Sequence, residues 1–585
     1  MHFIPLALAA AALLVAVPAA AGPSEDFRSL QDAFWSEALR ASPTLASSLG
    51  AGDHDRLLAP LSLAEMDRQA ASAAGFLARL DAIPSAGFSA DERTNAAILR
   101  TLLGETVAFN RFGQRQLLYS NLGSYHDSLA GTAENLVFRT AADYRNYLAR
   151  IALVPERMRS YGEMGVKAAR EGFVQPCVTM TRFPLTISGV VTPDPAASRF
   201  YAPFAATRPT GIAPADWTAL QAQAKSLIAD RINPAYRDFA ALYDRELRDK
   251  CRQSVAASAQ PDGPAYYAAL VRSYTTTDKT PDEIHRLGLS EVARIRAEME
   301  RVAKNAGFAS RSAMIADMRS NPRWFFKTDR ELLEATAFQA KVIDGKMPSI
   351  IGRLARLPYG IRPMDLATAP GDTTARYSGG SPQTGLAGFY LVNTTKLDQR
   401  PSWEIPALTV HEAVPGHHQQ IALQQELDLP QWRRSLSFFT AFVEGWGLYS
   451  ERLGIEMGIY DTPQKDMGRL GYEMWRACRL VIDTGLHSKG WTKAQAVQYF
   501  RDNSTLTEAN IDAEVNRYIS NPGQALAYKL GELKIRELRT LAERELGDRF
   551  DLRHFHDTVL GQGAIPLDAL DAQVRRWIAA EKARR

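Results

Sequence analysis

The chain has 585 residues, 46% hydrophobic and 23% charged, and Lys+Arg 69 against Asp+Glu 65 leave a net charge of +4. These proportions exclude a disordered or collagen-like chain, and so small a basic excess excludes a dedicated nucleic-acid binder. The telling residue is a scarce one: three of the 10 histidines fall between positions 411 and 418.

The N-terminus is an Ala/Leu/Val run that closes on Ala19-Ala20-Ala21 before the polar Gly22-Pro-Ser-Glu-Asp. This pattern reads as a secretory signal, residues 1–21, although its first residues carry no Lys or Arg. No cysteine follows the run, so lipoprotein processing is not expected, and no later stretch is apolar enough to span a bilayer. The mature protein is therefore expected to be secreted or periplasmic, without stable membrane insertion. An oxidising compartment permits a Cys177–Cys251 bridge, whereas Cys478 lies in an apolar, helical-looking run.

Helical patterning dominates the rest of the chain. Amphipathic segments are expected at about 24–49, 62–82, 90–110, 140–171, 214–248, 328–346 and 528–547. Thr280-Pro-Asp-Glu283 combines an N-cap, a first-turn proline and a capping-box glutamate, and the apolar residues Val292, Ile295, Met299 and Val302 run toward a stop at Gly307. Residues 173–212 and 358–386, rich in Pro, Gly, Thr and Ser, read as irregular connections. Gly388-Phe-Tyr-Leu-Val-Asn393 reads as a strand. The expected fold is mainly α with a small sheet near residue 390. It forms one helical unit over 22–585, divisible into lobes of about 22–350 and 351–585 that flank a cleft.

The chemistry concentrates in Val410-His411-Glu412-Ala-Val-Pro415-Gly416-His417-His418. In H-E-x-x-H the two histidines lie about 40° apart on one helix and share a zinc ion, while the glutamate activates water. Here Pro415 occupies the position of the second histidine. On an unbroken helix His417 would lie about 120° from His411, and His418 would lie about 10 Å further along the axis. A kink at Pro415-Gly416 could absorb the extra residues and return His417 to the metal face, with His418 as the alternative ligand. A third ligand is expected from Phe442-Val-Glu444-Gly-Trp-Gly-Leu-Tyr-Ser-Glu451, where an unpaired Glu444 carboxylate among apolar neighbours would be costly. Glu451, on the same face, is an orienting partner or the alternative ligand.

These motifs, with Arg517-Tyr-Ile-Ser-Asn-Pro-Gly-Gln-Ala-Leu-Ala-Tyr528-Lys-Leu-Gly, Phe555-His-Asp and Gly563-Ala-Ile-Pro-Leu, resemble the bacterial family called domain of unknown function 885. That family is similar to gluzincin metallopeptidases, with H-E-x-x-x-G-H in place of H-E-x-x-H. The one departure is Gly447 where alanine is expected. The resemblance implies a zinc site of His411, His417 and Glu444, peptide hydrolysis, and Glu412 as general base and then acid.

Tyr528 and His487 are candidate donors to the oxyanion, although Tyr528 could be a core residue and His487 could simply end a helix. Arg517 could clasp a substrate carboxylate or pair with Glu514. The strand 388–393 could pair with an extended peptide, with Tyr390 and Asn393 facing the cleft; core packing is the structural reading for Tyr390. The leading expectation is an exported zinc metallopeptidase acting on oligopeptides. The alternatives are a zinc amidohydrolase or esterase acting on a small metabolite, and a non-catalytic exported peptide-binding protein. The sequence does not set the oligomeric state.

Overall fold

The computed structural model describes residues 22–584 apart from 135, 367–368, 370–372 and 383–384; the signal segment 1–21 lies outside the described residues. The fold is mainly helical. Local sequence accounts for where helices begin. Ser89/Glu92, Thr140/Asp143, Thr280/Glu283 and Thr492/Gln495 each form reciprocal capping boxes that satisfy the orphan N–H groups of a first turn. The amphipathic segments fold as Pro23–Ala41, Leu63–Ala82, Ala90–Asn110, Ala141–Ile151 with Val154–Arg170, Pro214–Leu227, Asp329–Asp344 and Leu526–Leu546. Among the described residues no helix is long and apolar enough to cross a membrane.

Both segments expected to be irregular contain structure. Residues 173–212 hold short helices whose Phe183, Ile187, Phe200 and Phe204 are fully packed in a core. The second segment contains two strands, β1 (Tyr359–Pro363) and β2 (Ala375–Ser378), which flank β3 (Gly388–Val392) in the order β1-β3-β2. β1 runs parallel to β3 and β2 antiparallel to it. β3 is thus central, with both edges hydrogen-bonded, so it cannot accept a peptide by strand addition. That expectation is corrected: only β1 and β2 present outer edges.

Apolar packing does not divide at residue 350. One core joins Phe27, Leu30 and Ile98 to Trp446, Phe555 and Leu570; a second joins Val292 and Ile295 to Tyr390, Met474 and Tyr518. A third lies wholly within Leu58–Leu247. Cys177 and Cys251 are bridged across 74 residues, while Cys478 is buried and free. Closing a loop of that length contributes about 4 kcal/mol in the chain-entropy account.

Two helices meet at van der Waals limit. Thr440–Leu453 crosses Leu526–Leu546 where Gly445 faces Gly531: a Cβ on Gly531 would fall 1.8 Å from the Ala441 carbonyl oxygen, and one on Gly445 would fall 2.5 Å from Gly531 Cα. Backbone atoms cannot yield as a side-chain tip does. Gly531→Ala is therefore expected to destabilise the protein by about 3 kcal/mol, read as a lowered urea midpoint. An unchanged midpoint would mean that the two helices do not approach this closely.

Candidate metal centre

The helix Ile405–Glu412 is buried at every position and carries His411 and Glu412 on its last turn. It stops at Ala413, where the chain makes the cis Val414–Pro415 peptide, and a second helix, His417–Glu426, starts immediately afterwards. Gly416 is obligatory at this break, since a Cβ there would lie 2.0 Å from the His411 carbonyl oxygen. The Trp446 indole N–H donates to the Pro415 carbonyl (2.7 Å), and the His418 N–H to the Ala413 carbonyl (3.0 Å), so the break is itself hydrogen-bonded. It places the His411 and His417 rings 4.7 Å apart and perpendicular, the convergence expected of a kink at Pro415-Gly416.

Glu444 completes the group. Its Oε2 lies 3.7 Å from His411 Nε2 and 3.3 Å from His417 Nε2, and ligand atoms of all three residues lie within 4.8 Å of one another. Ligands each about 2 Å from one zinc ion are spaced by about 3–4 Å. His411 lies too far to hydrogen-bond the carboxylate and His417 makes no hydrogen bond to it, so Oε2 is buried with no hydrogen-bond partner. An orphaned buried carboxylate oxygen faced by two ring nitrogens fits a divalent cation with one Glu and two His ligands. Burial pushes the Glu444 carboxyl upward, but the two imidazoles outweigh it and hold the group well below the usual carboxylate range. Burial alone would lower the His411 imidazole; Glu444 and Glu451 outweigh that and raise it to about 9.

Both imidazoles are oriented from behind. His411 Nδ1 lies 2.8 Å from Glu451 Oε1, which also receives Arg476 Nη2 at 3.2 Å. Glu451 is thus the orienting partner and not a ligand, and a carboxylate on the far nitrogen fixes the ring with Nε2 turned toward the centre. His417 Nδ1 meets the Gln420 amide nitrogen at 2.9 Å, and the same amide donates to the Val443 carbonyl at 2.8 Å. His418 is spoken for elsewhere, by the Tyr377 hydroxyl (3.0 Å) and the Leu357 carbonyl (2.9 Å), which leaves His417 as the candidate second ligand. Gly447 opens the space for both rings: a Cβ there would lie 2.9 Å from His411 Cε1 and 3.2 Å from His417 Cε1.

Tyr528 lies against this group. Its ring stacks on His411 at 6.5 Å and 17°, and the Arg479 guanidinium lies 4.2 Å from the Tyr528 ring centre. Burial, with Glu444 nearby, raises the phenol above its ordinary value despite Arg517 and Arg479, so it stays protonated at neutral pH. Glu412 is almost fully buried, immediately after His411.

Three residues singled out from sequence do not join the site. His487 is wholly buried; its Nδ1 accepts from the Ala257 N–H (3.0 Å) and its Nε2–H donates to the Tyr518 carbonyl (2.9 Å), so no proton is free for an oxyanion. Asn393 is equally buried, donating to the Ala369 and Thr373 carbonyls and accepting from Thr395, and so fastens a loop instead of facing a cleft. Tyr390 is core, beside Thr409 and Glu412. Arg517 pairs with Glu514 (3.0 Å) and Gln524 (2.7 Å) but keeps 23% of its side chain exposed. Gln420 was missed, although its i+3 spacing from His417 was readable; Arg479, 49 positions before Tyr528, left no such signal.

Comparison with known proteins agrees with this architecture. A candidate lipoprotein from Colwellia psychrerythraea superposes with a TM-score of 0.87 at 26% identity, covering 96% of this chain and 100% of its own. A candidate lipoprotein of unknown function from Shewanella oneidensis gives 0.72 at 18% identity, covering 94% and 99%. No curated protein matches the sequence. The profile of a bacterial family of unknown function, DUF885, matches residues 43–574, and the chain belongs to that family.

Proposed function

We propose that the protein is an exported zinc-dependent peptidase that hydrolyses oligopeptides. The observation that carries this reading is the convergence of His411 Nε2, His417 Nε2 and an orphaned Glu444 Oε2, with Tyr528 stacked on His411 and the buried Glu412 next to it in the chain. His411, His417 and Glu444 would hold the ion through three protein atoms, the number that leaves a catalytic zinc open. Bound there, zinc supplies Lewis acidity that polarises the scissile carbonyl and lowers the pKa of water toward about 7.

The protein's own groups do the rest. Glu412 takes a proton from the attacking water as the C–O bond forms, and returns it to the amide nitrogen as the C–N bond breaks. The Tyr528 hydroxyl donates to the oxygen on which negative charge develops. Glu451 accepts from His411 Nδ1–H and holds that ring with Nε2 toward the centre, and the Gln420 amide packs against His417 Nδ1. An extended substrate can add to the sheet only at an outer edge. β2 is the edge that packs on the helix carrying His411, with Ala375 in the same core as Ala407 and Leu408.

Export is supported by the N-terminal Ala/Leu run and by the Cys177–Cys251 bridge, which persists in oxidising compartments. The structural relatives are candidate lipoproteins, which agrees with a place in the cell envelope.

Three outcomes are expected. Protein purified without chelators should contain one zinc per chain by elemental analysis, lost in His417→Ala and retained in Glu412→Gln; a wild type free of zinc after reconstitution would remove the reading. Mass spectrometry of a mixed peptide library should show cleavages that Glu412→Gln slows by about 10²–10⁴-fold; identical digests by the two proteins would exclude the peptidase. Tyr528→Phe, with zinc content unchanged, should lose about 10²-fold in kcat with little change in KM. A loss confined to KM would place Tyr528 in substrate binding and not in oxyanion stabilisation.

A further inference from the structure

Arg479 and Arg517 stand behind Tyr528 in an arrangement that the hydrolytic reading leaves unused. Both guanidinium groups pair with a single carboxylate, Glu514: Arg479 Nη2 at 2.9 Å and Arg517 Nη2 at 3.0 Å. Among the described residues no other carboxylate is in ion-pair range of either. Two positive charges therefore share one negative charge, and Glu514 is already saturated by the Tyr518 hydroxyl (2.6 Å) and the Trp475 indole (3.2 Å). Arg479 is 3% exposed, and its Nη1 has no hydrogen-bond partner. A buried guanidinium nitrogen without an acceptor is costly unless a ligand supplies one.

The two arginines differ in access. Arg479 is sealed behind the Tyr528 ring, at 4.2 Å from its centre. Arg517 lies deep among the helices yet keeps 23% side-chain exposure, so it borders an opening. Half-buried residues connect it to the metal group: Arg517 Nη1 donates to Gln524 Oε1 at 2.7 Å, the Gln524 side chain lies near the Tyr528 hydroxyl, and the Tyr528 ring stacks on His411. Three of the five guanidinium N–H donors of Arg517 are taken by Glu514 and Gln524, which leaves one on each Nη atom for a carboxylate. One wall of the centre thus runs from Glu444 past Tyr528 to an arginine with donors to spare and a surplus of positive charge.

We propose that Arg517, backed by Arg479, binds the free α-carboxylate of a peptide whose scissile bond lies at the metal centre, which makes the protein a carboxy-terminal exopeptidase. The exopeptidase statement rests on the peptidase reading; the carboxylate site does not. Arg517 contributes the accessible fork. Arg479 keeps the local charge positive when Glu514 is paired, so a second carboxylate is not repelled. Carboxylates also come from Asp and Glu side chains, and the test has to separate the two sources.

Calorimetric titration of the Glu412→Gln protein, which binds without turnover, compares three peptides: penta-alanine, penta-alanine amide, and tetra-alanyl-glutamic acid amide. The free acid should bind on the order of 10- to 100-fold tighter than penta-alanine amide, and the glutamate-bearing amide should behave like the latter. Adding Arg517→Gln should bring the acid-to-amide ratio close to one, and adding Arg517→Lys, which keeps the charge but not the fork, should give an intermediate ratio. Because the wild-type ratio needs no change at 517, a variant that misfolds by circular dichroism leaves the central comparison standing.

Equal binding of acid and amide, binding of neither, or an unchanged ratio in folded Arg517→Gln would overturn the site. Binding of the glutamate-bearing amide like the free acid would overturn its assignment to the C-terminus. If the acid preference holds while wild type cleaves no peptide, the peptidase reading falls and the carboxylate site survives. If peptides are cleaved internally regardless of amidation, the exopeptidase assignment falls and the peptidase reading survives.

Discussion

The architecture around the centre depends on one carboxylate, Glu444, held inside an apolar helix and facing two imidazoles that it does not hydrogen-bond. An uncompensated buried charge costs several kcal/mol, so the surrounding structure has to hold it in place. The Gly445–Gly531 crossing sets the depth of its helix. Trp446, on the same turn, is tied to the Pro415 carbonyl, and hence to the break between the two histidines. Glu451, further along the helix, holds His411 from behind. A single helix, Thr440–Leu453, thus supplies one candidate ligand, the support of another and the anchor of the segment that carries both histidines.

The opposite treatment of polar groups appears one residue from Tyr528. Lys529 is wholly buried, yet it meets Glu473 and Glu532 at 2.9 Å and Glu291 at 3.1 Å, and Arg294 in turn binds Glu291 and Glu473. This network joins the helices Pro281–Asn305, Pro463–Ser488 and Leu526–Leu546 with every lysine proton satisfied. A fully paired network specifies how helices dock. Lys529 is of that kind, whereas Glu444 Oε2 is left without a partner and faces two ring nitrogens. It is the convergence of the three groups, and not burial or a missing partner alone, that marks the candidate site.

Much of the scaffold was legible because it is local. The Thr280–Glu283 box and the spacing of Val292, Ile295 and Met299 place a helix without reference to anything else. The metal trio was legible in part for the same reason: Pro415-Gly416 announces a break, and a break is what His417 needs. What could not be read depends on partners distant in sequence. β1 and β2 are four to five residues long in a Gly/Pro-rich segment and exist through pairing with β3. His487 looked chemical until Ala257 and Tyr518, 230 and 31 residues away, took both of its nitrogens. Asn393 lost its expected role to carbonyls of a loop that composition alone marks as irregular. His417 and His418 could be separated only by seeing that Tyr377 and Leu357 occupy the second of them.

A net charge of +4 spread over 585 residues creates no field able to draw a small peptide from a distance. At physiological ionic strength, exposed charges are screened within about 8 Å, so recognition has to be local and shielded. Arg479 meets both conditions: it is buried, fixed by Glu514 and Tyr518, and covered by the Tyr528 ring. Fixed charge in such a place is felt by the groups buried around it and barely by solvent. It acts first on Tyr528, whose ring has the Arg479 guanidinium 4.2 Å from its centre and the His411 imidazole stacked near it. The phenol thus lies beside Glu444, and a donor that is already in position does not have to be reorganised as charge develops. The charge that balance sheets of composition cannot detect is the one placed where water does not dilute it.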